Sequence, residues 1–79
     1  MSERRNEILS AIRDERARQN AKWGEQNHTP ERWLAILSEE TGETARAIVE
    51  FDLVSYRAEL VHVAAVAVAA IESLDRGKW

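Results

Sequence analysis

Two pairs of polar side chains interrupt the apolar parts of this sequence, and each pair has a spacing of three residues. Glu40 and Glu43 lie in one apolar segment, and Glu59 and His62 lie in the next. At about 100° per residue, a spacing of three places both members of a pair on one face of a helix. From Leu60 to Ile71, His62 is the only polar residue. The chain must therefore fold so that something compensates these inward-facing groups, because a carboxylate in apolar surroundings is costly.

The pattern of apolar residues predicts an all-α protein with three main helices. Residues from about 2 to 22 carry apolar side chains at helical intervals and form the first helix. Thr29, Pro30 and Glu31 are a start signal for the second helix, which should run to about Glu50. The chain should turn between Phe51 and Val54, with Asp52 or Ser55 as the next cap, and the third helix should run from about Ser55 to Asp75. The sequence shows no β pattern and no repeat.

The second and third helices are joined by a short turn and should form an antiparallel hairpin. Along the second helix, the main apolar stripe runs through Leu34, Leu37, Thr41, Ala45 and Ile48, with the two glutamates beside it. At about 1.5 Å per residue, the Glu40/Glu43 and Glu59/His62 pairs are level to within about one helical turn. Four ligands can therefore converge between facing helices, which is a usual way to build a metal site in a bundle.

The length of the chain favours oligomerisation. A single domain spanning the 79 residues buries only about 60% of the surface that its unfolded chain exposes. There is no cysteine, so neither disulfides nor a thiolate zinc site can add stability. The third helix is apolar on nearly every side between Val63 and Ile71. We therefore expect a homodimer or a dimer of dimers, with hairpins that assemble into a four-helix-bundle-like core.

Charge and hydropathy argue against several classes of partner. The net charge is −3, and charged residues make up 32% of the chain with both signs interspersed. This composition disfavours a nucleic-acid groove or an anionic membrane surface as the partner. No signal peptide is visible, and the longest apolar run, from Val63 to Ile71, is shorter than the roughly 20 residues that cross a bilayer. A soluble cytoplasmic protein is expected.

The acidic residues form a motif with a known parallel. The chain reads Glu39-Glu40-Thr41-Gly42-Glu43, then fifteen residues, then Glu59-Leu60-Val61-His62. This pattern resembles the signature of the MazG-like all-α nucleoside triphosphate pyrophosphohydrolases, which is Glu-Glu-x-x-Glu followed at a variable distance by Glu-x-x-Asp. The resemblance runs from about Trp23 to Leu74 and includes the Lys-Trp-Gly loop. His62 stands where the family has Asp.

The resemblance implies an activity, a cofactor and a set of ligands. The reaction would be cleavage of a nucleoside or deoxynucleoside triphosphate between its α and β phosphates, releasing pyrophosphate. Glu40, Glu43 and Glu59 would bind Mg²⁺, His62 would occupy the fourth position, and Glu39 would orient water. All four glutamates would thus be catalytic. Because imidazole suits softer divalent cations, His62 also makes Mn²⁺ or Co²⁺ possible.

Six side chains near the acidic pairs have the chemistry to bind a nucleotide: Lys22, Trp23, Asn27, His28, Trp33 and Arg57. The two tryptophans can stack on a base, and the basic residues can meet phosphates. Other interpretations stay open. Trp33 also suits hydrophobic packing, Asn27 and His28 suit loop capping, and each basic residue suits a surface salt bridge.

Two other functions are compatible with the sequence. Glu-x-x-His on an inward helix face is also the ligand pattern of ferritin-like di-iron bundles. That interpretation leaves Glu39 and the Trp-Gly loop unexplained. A catalytically silent helical interaction module, which keeps the fold without the Asp, is the other alternative. Metal-dependent release of pyrophosphate would distinguish the nucleoside triphosphate pyrophosphohydrolase from both of these alternatives.

Overall fold

The computed structural model describes residues 2–79, which form three α-helices: α1 (Glu3–Trp23), α2 (Pro30–Val49) and α3 (Leu53–Asp75). Within these residues there is no strand, so the prediction of an all-α fold with three helices is confirmed. The third helix begins two residues earlier than Ser55, the predicted start. The reason is that the Asp52 side chain caps it, accepting a hydrogen bond from the Ser55 N–H at 3.0 Å.

Local signals also set the ends of the other helices. Gly24 ends α1 with a left-handed φ of 74°, and its N–H donates to the Asn20 carbonyl at 2.8 Å. Thr29 caps α2 by accepting a hydrogen bond from the Arg32 N–H at 3.3 Å, and Pro30 occupies the first turn. The loop from 24 to 29 is therefore short and fixed at both ends.

The turn between α2 and α3 contains an unusual residue. Phe51 adopts a left-handed conformation with a φ of 54°, although glycine is the usual residue there. Its N–H donates to the Ile48 carbonyl at 3.1 Å, and the Asp52 N–H donates to the Ala47 carbonyl at 3.0 Å. These are the two bonds of a Schellman motif, and holding a phenylalanine in it costs about 1 to 2 kcal/mol. The Phe51 side chain is 90% exposed, so packing within the protomer does not offset this cost.

The helices are arranged around α3, which packs closely against both α1 and α2, whereas no Cα atom of α1 lies within 8 Å of a Cα atom of α2. Trp33 of α2 and Val66 and Ala69 of α3 form the buried core. Ala65 has no exposed surface. Small residues on α3 let the neighbouring helices approach closely, since side-chain size sets the distance between helix axes.

Most of the apolar stripe of α2 does not face this core, although Leu37 packs against it. Leu34 and Ile48 on the stripe are 64% and 54% exposed. The residues of α2 that are buried are instead Trp33, Thr44 and Ala47. The helix is thus turned so that its partly polar side meets α3 and much of its apolar stripe points outward.

α3 is also poorly covered for a helix of its composition. By length and apolar character it could cross a membrane, yet only 17% of its most apolar 18-residue window is buried. The core helix of a soluble protein meets the same criteria of length and composition. A large apolar surface of α3 therefore has no partner within residues 2–79.

One hydroxyl joins the loop, α3 and the C-terminal tail. Ser73 has no exposed surface. Its Oγ accepts a hydrogen bond from the His28 N–H at 3.3 Å and donates one to the Lys78 carbonyl at 3.2 Å. Both backbone groups would lose their partner if the hydroxyl were removed.

We expect Ser73→Ala to lower the free energy of unfolding by about 1 to 2 kcal/mol, because it leaves a part-buried N–H without an acceptor. Chemical denaturation monitored by circular dichroism measures the change. Ser38→Ala, on the exposed surface of α2, is the matched control and should change stability much less. Equal stability of the two variants would show that the hydroxyl does not hold the loop.

Candidate metal centre

Three side chains from the two predicted pairs meet in the groove between α2 and α3. Glu40 comes from α2, and Glu59 and His62 come from α3, so that one ligand atom from each lies within 4.8 Å of the others. His62 Nδ1 lies 3.4 Å from Glu59 Oε2 and 3.7 Å from Glu40 Oε2. The antiparallel hairpin brings the pairs level, because each lies about two to three turns from the connection.

The remaining acidic residues of the motif lie on the open side of this cluster. Glu39 and Glu43 are exposed, and together with Gly42 and the three clustered residues they line a cavity of about 570 Å³. Glu43 is not among the residues whose ligand atoms converge. The structure therefore brings together three of the four predicted ligands and places the fourth at the edge of the same cavity.

A residue of α1 that the sequence interpretation missed also faces the cluster. Glu15 Oε1 lies 3.8 Å from His62 Nε2, on the opposite side of the ring from Glu40 and Glu59. Arg18 donates to both Glu15 oxygens, at 2.9 and 2.6 Å. The Glu15 side chain is only 10% exposed.

A signal for Glu15 was present in the sequence. It lies seven residues after Ile8 and three after Ile12, so it continues the apolar stripe of α1. The many charges around it make α1 resemble a solvated helix. Only its position on the stripe distinguishes Glu15 from those charges.

The carboxylates of the cluster differ in their electrostatic surroundings. Burial raises the pKa of the Glu40 carboxyl. Glu59 raises that pKa further, because it accepts a hydrogen bond from protonated Glu40 and because its like charge disfavours ionised Glu40, while His62 has a smaller opposing effect. In contrast, the hydrogen bond from Arg18 holds the pKa of Glu15 below its ordinary value despite partial burial. Glu40 is thus the carboxylate whose charge is least compensated by the protein itself.

The donor set fits a divalent cation. Two carboxylate oxygens and one imidazole nitrogen are the ligands that Mn²⁺, Co²⁺ and Zn²⁺ accept together, while Mg²⁺ favours the oxygens. A cation between Glu40 and Glu59 would relieve the repulsion that raises the pKa of Glu40. The open side of the cavity, which Glu39 and Glu43 line, leaves room for water or a phosphate.

The two tryptophans lie in a neighbouring cavity of about 280 Å³, which Glu40 and His62 also line. Trp23 is 52% exposed, and the Lys22 ammonium lies 4.7 Å above its ring. Trp33 is 7% exposed and belongs to the core, so it forms a wall of the cavity and packs against α3. Both rings are therefore near the acidic cluster, and Trp23 is the accessible one.

Other predicted nucleotide-binding residues lie in different places. The Asn27 side chain donates to Glu25 at 2.9 Å and accepts from Arg76 at 2.9 Å, an arrangement that ties the loop to the end of α3. His28 packs edge-on against Trp33, with ring centroids 4.8 Å apart. Arg57 lies on the α1 side of α3, where it lines a separate cavity with His62. The contacts of Asn27 are those of loop capping.

No family model matches the sequence, and no curated protein or solved structure shows detectable similarity to it. The functional interpretation therefore depends on the motif residues and on the geometry of the cluster. Among these, the convergence of Glu40, Glu59 and His62 is the observation with the clearest chemical meaning.

The raised pKa of Glu40 predicts a pH-dependent effect of its removal. A carboxyl whose pKa is raised by folding favours the folded state below its unfolded value, about 4.5, and that contribution is lost as the pH rises through the folded value. Without divalent cations at pH 7, Glu40→Gln should therefore raise the melting temperature by about a few degrees.

The difference in melting temperature between Glu40→Gln and the wild type should shrink below pH 4, where the wild-type Glu40 side chain is also mostly neutral. Calorimetry in the presence of a chelator measures both points. Glu39→Gln is the control, since it makes the same charge change at an exposed position. A melting temperature lowered by Glu40→Gln at pH 7 would contradict the assignment of Glu40 as an uncompensated charge.

Proposed function

We propose that this protein hydrolyses nucleoside triphosphates to nucleoside monophosphates and pyrophosphate with a divalent cation held by Glu40, Glu59 and His62. The observation that carries the proposal is the convergence of these ligand atoms within 4.8 Å, with two of the three residues, Glu40 and His62, also lining the cavity beside Trp23. The motif Glu39 to Glu43, followed by Glu59 to His62, supports the same activity through its resemblance to the MazG-like pyrophosphohydrolases.

The acidic cavity requires a cation to accept this substrate. A triphosphate is polyanionic and would be repelled by Glu39, Glu40, Glu43 and Glu59 alone. A bound divalent cation would neutralise charge on the phosphates and lower the pKa of a bound water. Glu43, at the edge of the cavity, would complete the donor set. Glu39 lines the open side and would accept a hydrogen bond from the attacking water.

The position of His62 depends on helix α1. In proteins, a histidine that binds a metal through one nitrogen usually donates from the other nitrogen to a carboxylate. Glu15 lies 3.8 Å from Nε2, whereas Nδ1 faces Glu40 and Glu59. Since Arg18 fixes both Glu15 oxygens, α1 would hold the imidazole with Nδ1 toward the cation.

The aromatic cavity would receive the base. Trp23 presents an accessible ring, and a base that stacks on it would lie near Glu40 and His62, which line the same cavity. Lys22, whose ammonium lies over the Trp23 ring, would carry positive charge toward the phosphates of a nucleotide stacked there. Trp33 would close the inner wall by packing, since it is held in the core.

The activity is tested by measuring pyrophosphate release from the common nucleoside and deoxynucleoside triphosphates with Mg²⁺ and Mn²⁺. Glu40→Gln, Glu43→Gln and Glu59→Gln should each reduce turnover by about a hundredfold or more, because each removes a charged ligand or its support. Glu31→Gln, exposed in the first turn of α2, is the control and should retain activity.

Full activity in two of the three motif variants would contradict the proposed site. An absence of pyrophosphate release, with a visible absorption band that appears on loading with iron, would instead identify a di-iron protein. An absence of both would favour a silent interaction module. Circular dichroism would check that each variant keeps its helices.

The metal preference should depend on His62. Neutral imidazole is a poorer ligand for Mg²⁺ than carboxylate but a good one for Mn²⁺ and Co²⁺. We expect the wild type to prefer Mn²⁺ or Co²⁺, and His62→Asp to shift the ratio of affinities toward Mg²⁺ by about tenfold. Titration calorimetry with each cation measures this ratio. Identical affinities in both proteins would rule out direct ligation by His62.

A further inference from the structure

A large apolar surface lies on the side of the α2–α3 hairpin that α1 does not cover. Leu34 and Ile48 of α2 are 64% and 54% exposed, and Ile71 and Leu74 of α3 are 57% and 55% exposed. We call this surface the outer face and include in it Leu53, which is 74% exposed. These residues are on the helices that also carry the acidic cluster. On a helix wheel, Ile71 lies about 180° from His62, so the outer face is turned away from the cluster.

A groove runs along one end of the outer face. It has a volume of about 320 Å³ and is lined almost wholly by apolar groups, among them Pro30, Trp33, Leu34, Leu74 and Trp79. Pro30 begins α2 and Leu74 ends α3, so the groove lies at the end of the hairpin farthest from the turn.

At the opposite end, the turn projects apolar side chains. Phe51 is 90% exposed, and Val49 and Val54 beside it are 76% and 83% exposed. Phe51 also holds its left-handed φ of 54° without packing inside the protomer. An exposed aromatic side chain on a strained backbone points to a contact outside the protomer.

The protomer exposes more surface than a compact monomer of its mass, and the excess compares with one side of a standard protein interface. The protomer has 5871 Å² of accessible surface at a mass of 9.0 kDa, whereas a compact monomer of that mass exposes about 4,850 Å². The surplus of about 1,000 Å² compares with the roughly 800 Å² that each partner buries in a standard interface. A single partner of similar size is enough to cover it.

We propose that the outer face binds a second copy of this chain in antiparallel orientation, with Phe51 of each copy in the groove of the other. A two-fold axis perpendicular to the hairpins would bring each turn to the groove end of the partner hairpin, so both contacts would form at once. The net charge of −3 disfavours an anionic lipid surface as the occupant. The proposal does not depend on the proposed enzymatic activity, since the acidic cluster lies away from the outer face.

Light scattering and sedimentation test the assembly. We expect a dimer at micromolar concentration. Leu34→Glu and Ile71→Glu should each weaken it by at least about a hundredfold, because a charge would be buried in an apolar contact. Both positions are exposed in the protomer, so the helices should persist in circular dichroism. Leu9→Glu is the matched control, because Leu9 is 46% exposed on α1, outside the outer face.

Phe51→Gly tests the role of the turn without weakening the hairpin. Glycine adopts the left-handed conformation freely, so the protomer should not lose stability. We expect the dimer dissociation constant to rise by about tenfold or more, since the buried aromatic anchor is lost. An unchanged constant would remove Phe51 from the interface and overturn the proposed orientation.

Disulfide cross-linking tests the orientation directly, since the chain has no cysteine of its own. When Phe51→Cys and Leu74→Cys proteins are mixed and oxidised, the mixed dimer should form faster than either self-linked dimer. Faster self-linking of Phe51→Cys would show a parallel arrangement and overturn the proposal. A wild-type monomer would also overturn it, and a monomer that binds neutral vesicles would assign the outer face to a lipid surface.

Discussion

The close packing of two helices against the small residues of α3 determines where every other part of the structure lies. Ala65 and Ser73 have no exposed surface, and Ala69 is 6% exposed. Because these side chains are short, α1 and α2 can each pack closely on α3, although no Cα atoms of α1 and α2 lie within 8 Å of each other. A polar group on the inner side of α3 is then faced from both neighbours. His62 therefore has Glu40 of α2 at one ring nitrogen and Glu15 of α1 at the other.

This arrangement also explains why the charges of Glu15 and Glu40 are compensated to different extents. Glu15 is supported by Arg18 on its own helix, so its charge is compensated before any ligand arrives. Glu40 lies beside Glu59 and is partly buried, and only His62 opposes the increase in its pKa. The protein therefore compensates the charge of Glu15 and leaves the charge of Glu40, the candidate ligand, uncompensated. A site that is built to hold a cation needs this distribution, because a ligand already paired with arginine would bind metal less well.

The parts of the structure that follow from local chemistry could be predicted from the sequence. Thr29 and Pro30 fix the start of α2, and the spacing of Glu40, Glu59 and His62 fixes their meeting once the hairpin is antiparallel. The face that α2 turns toward α3 could not be predicted from hydrophobicity, because Trp33 and the small residues of α3 outweigh the apolar stripe. The engagement of Asn27 with Arg76 depends on a contact between residues 49 apart, which no local pattern encodes.

The rotation of α2 links the candidate site to the outer face. If the apolar stripe through Leu34 and Ile48 faced α3, Glu40 would turn toward the edge of the groove and away from Glu59 and His62. Packing Trp33 against Val66 and Ala69 instead places Glu40 inside the groove, at the cost of leaving Leu34 and Ile48 exposed. A second copy on the outer face would bury the Leu34 and Ile48 side chains, which this orientation of α2 leaves exposed. In that arrangement the association of two chains would add the stability that lets the two carboxylates and the imidazole remain together in each protomer.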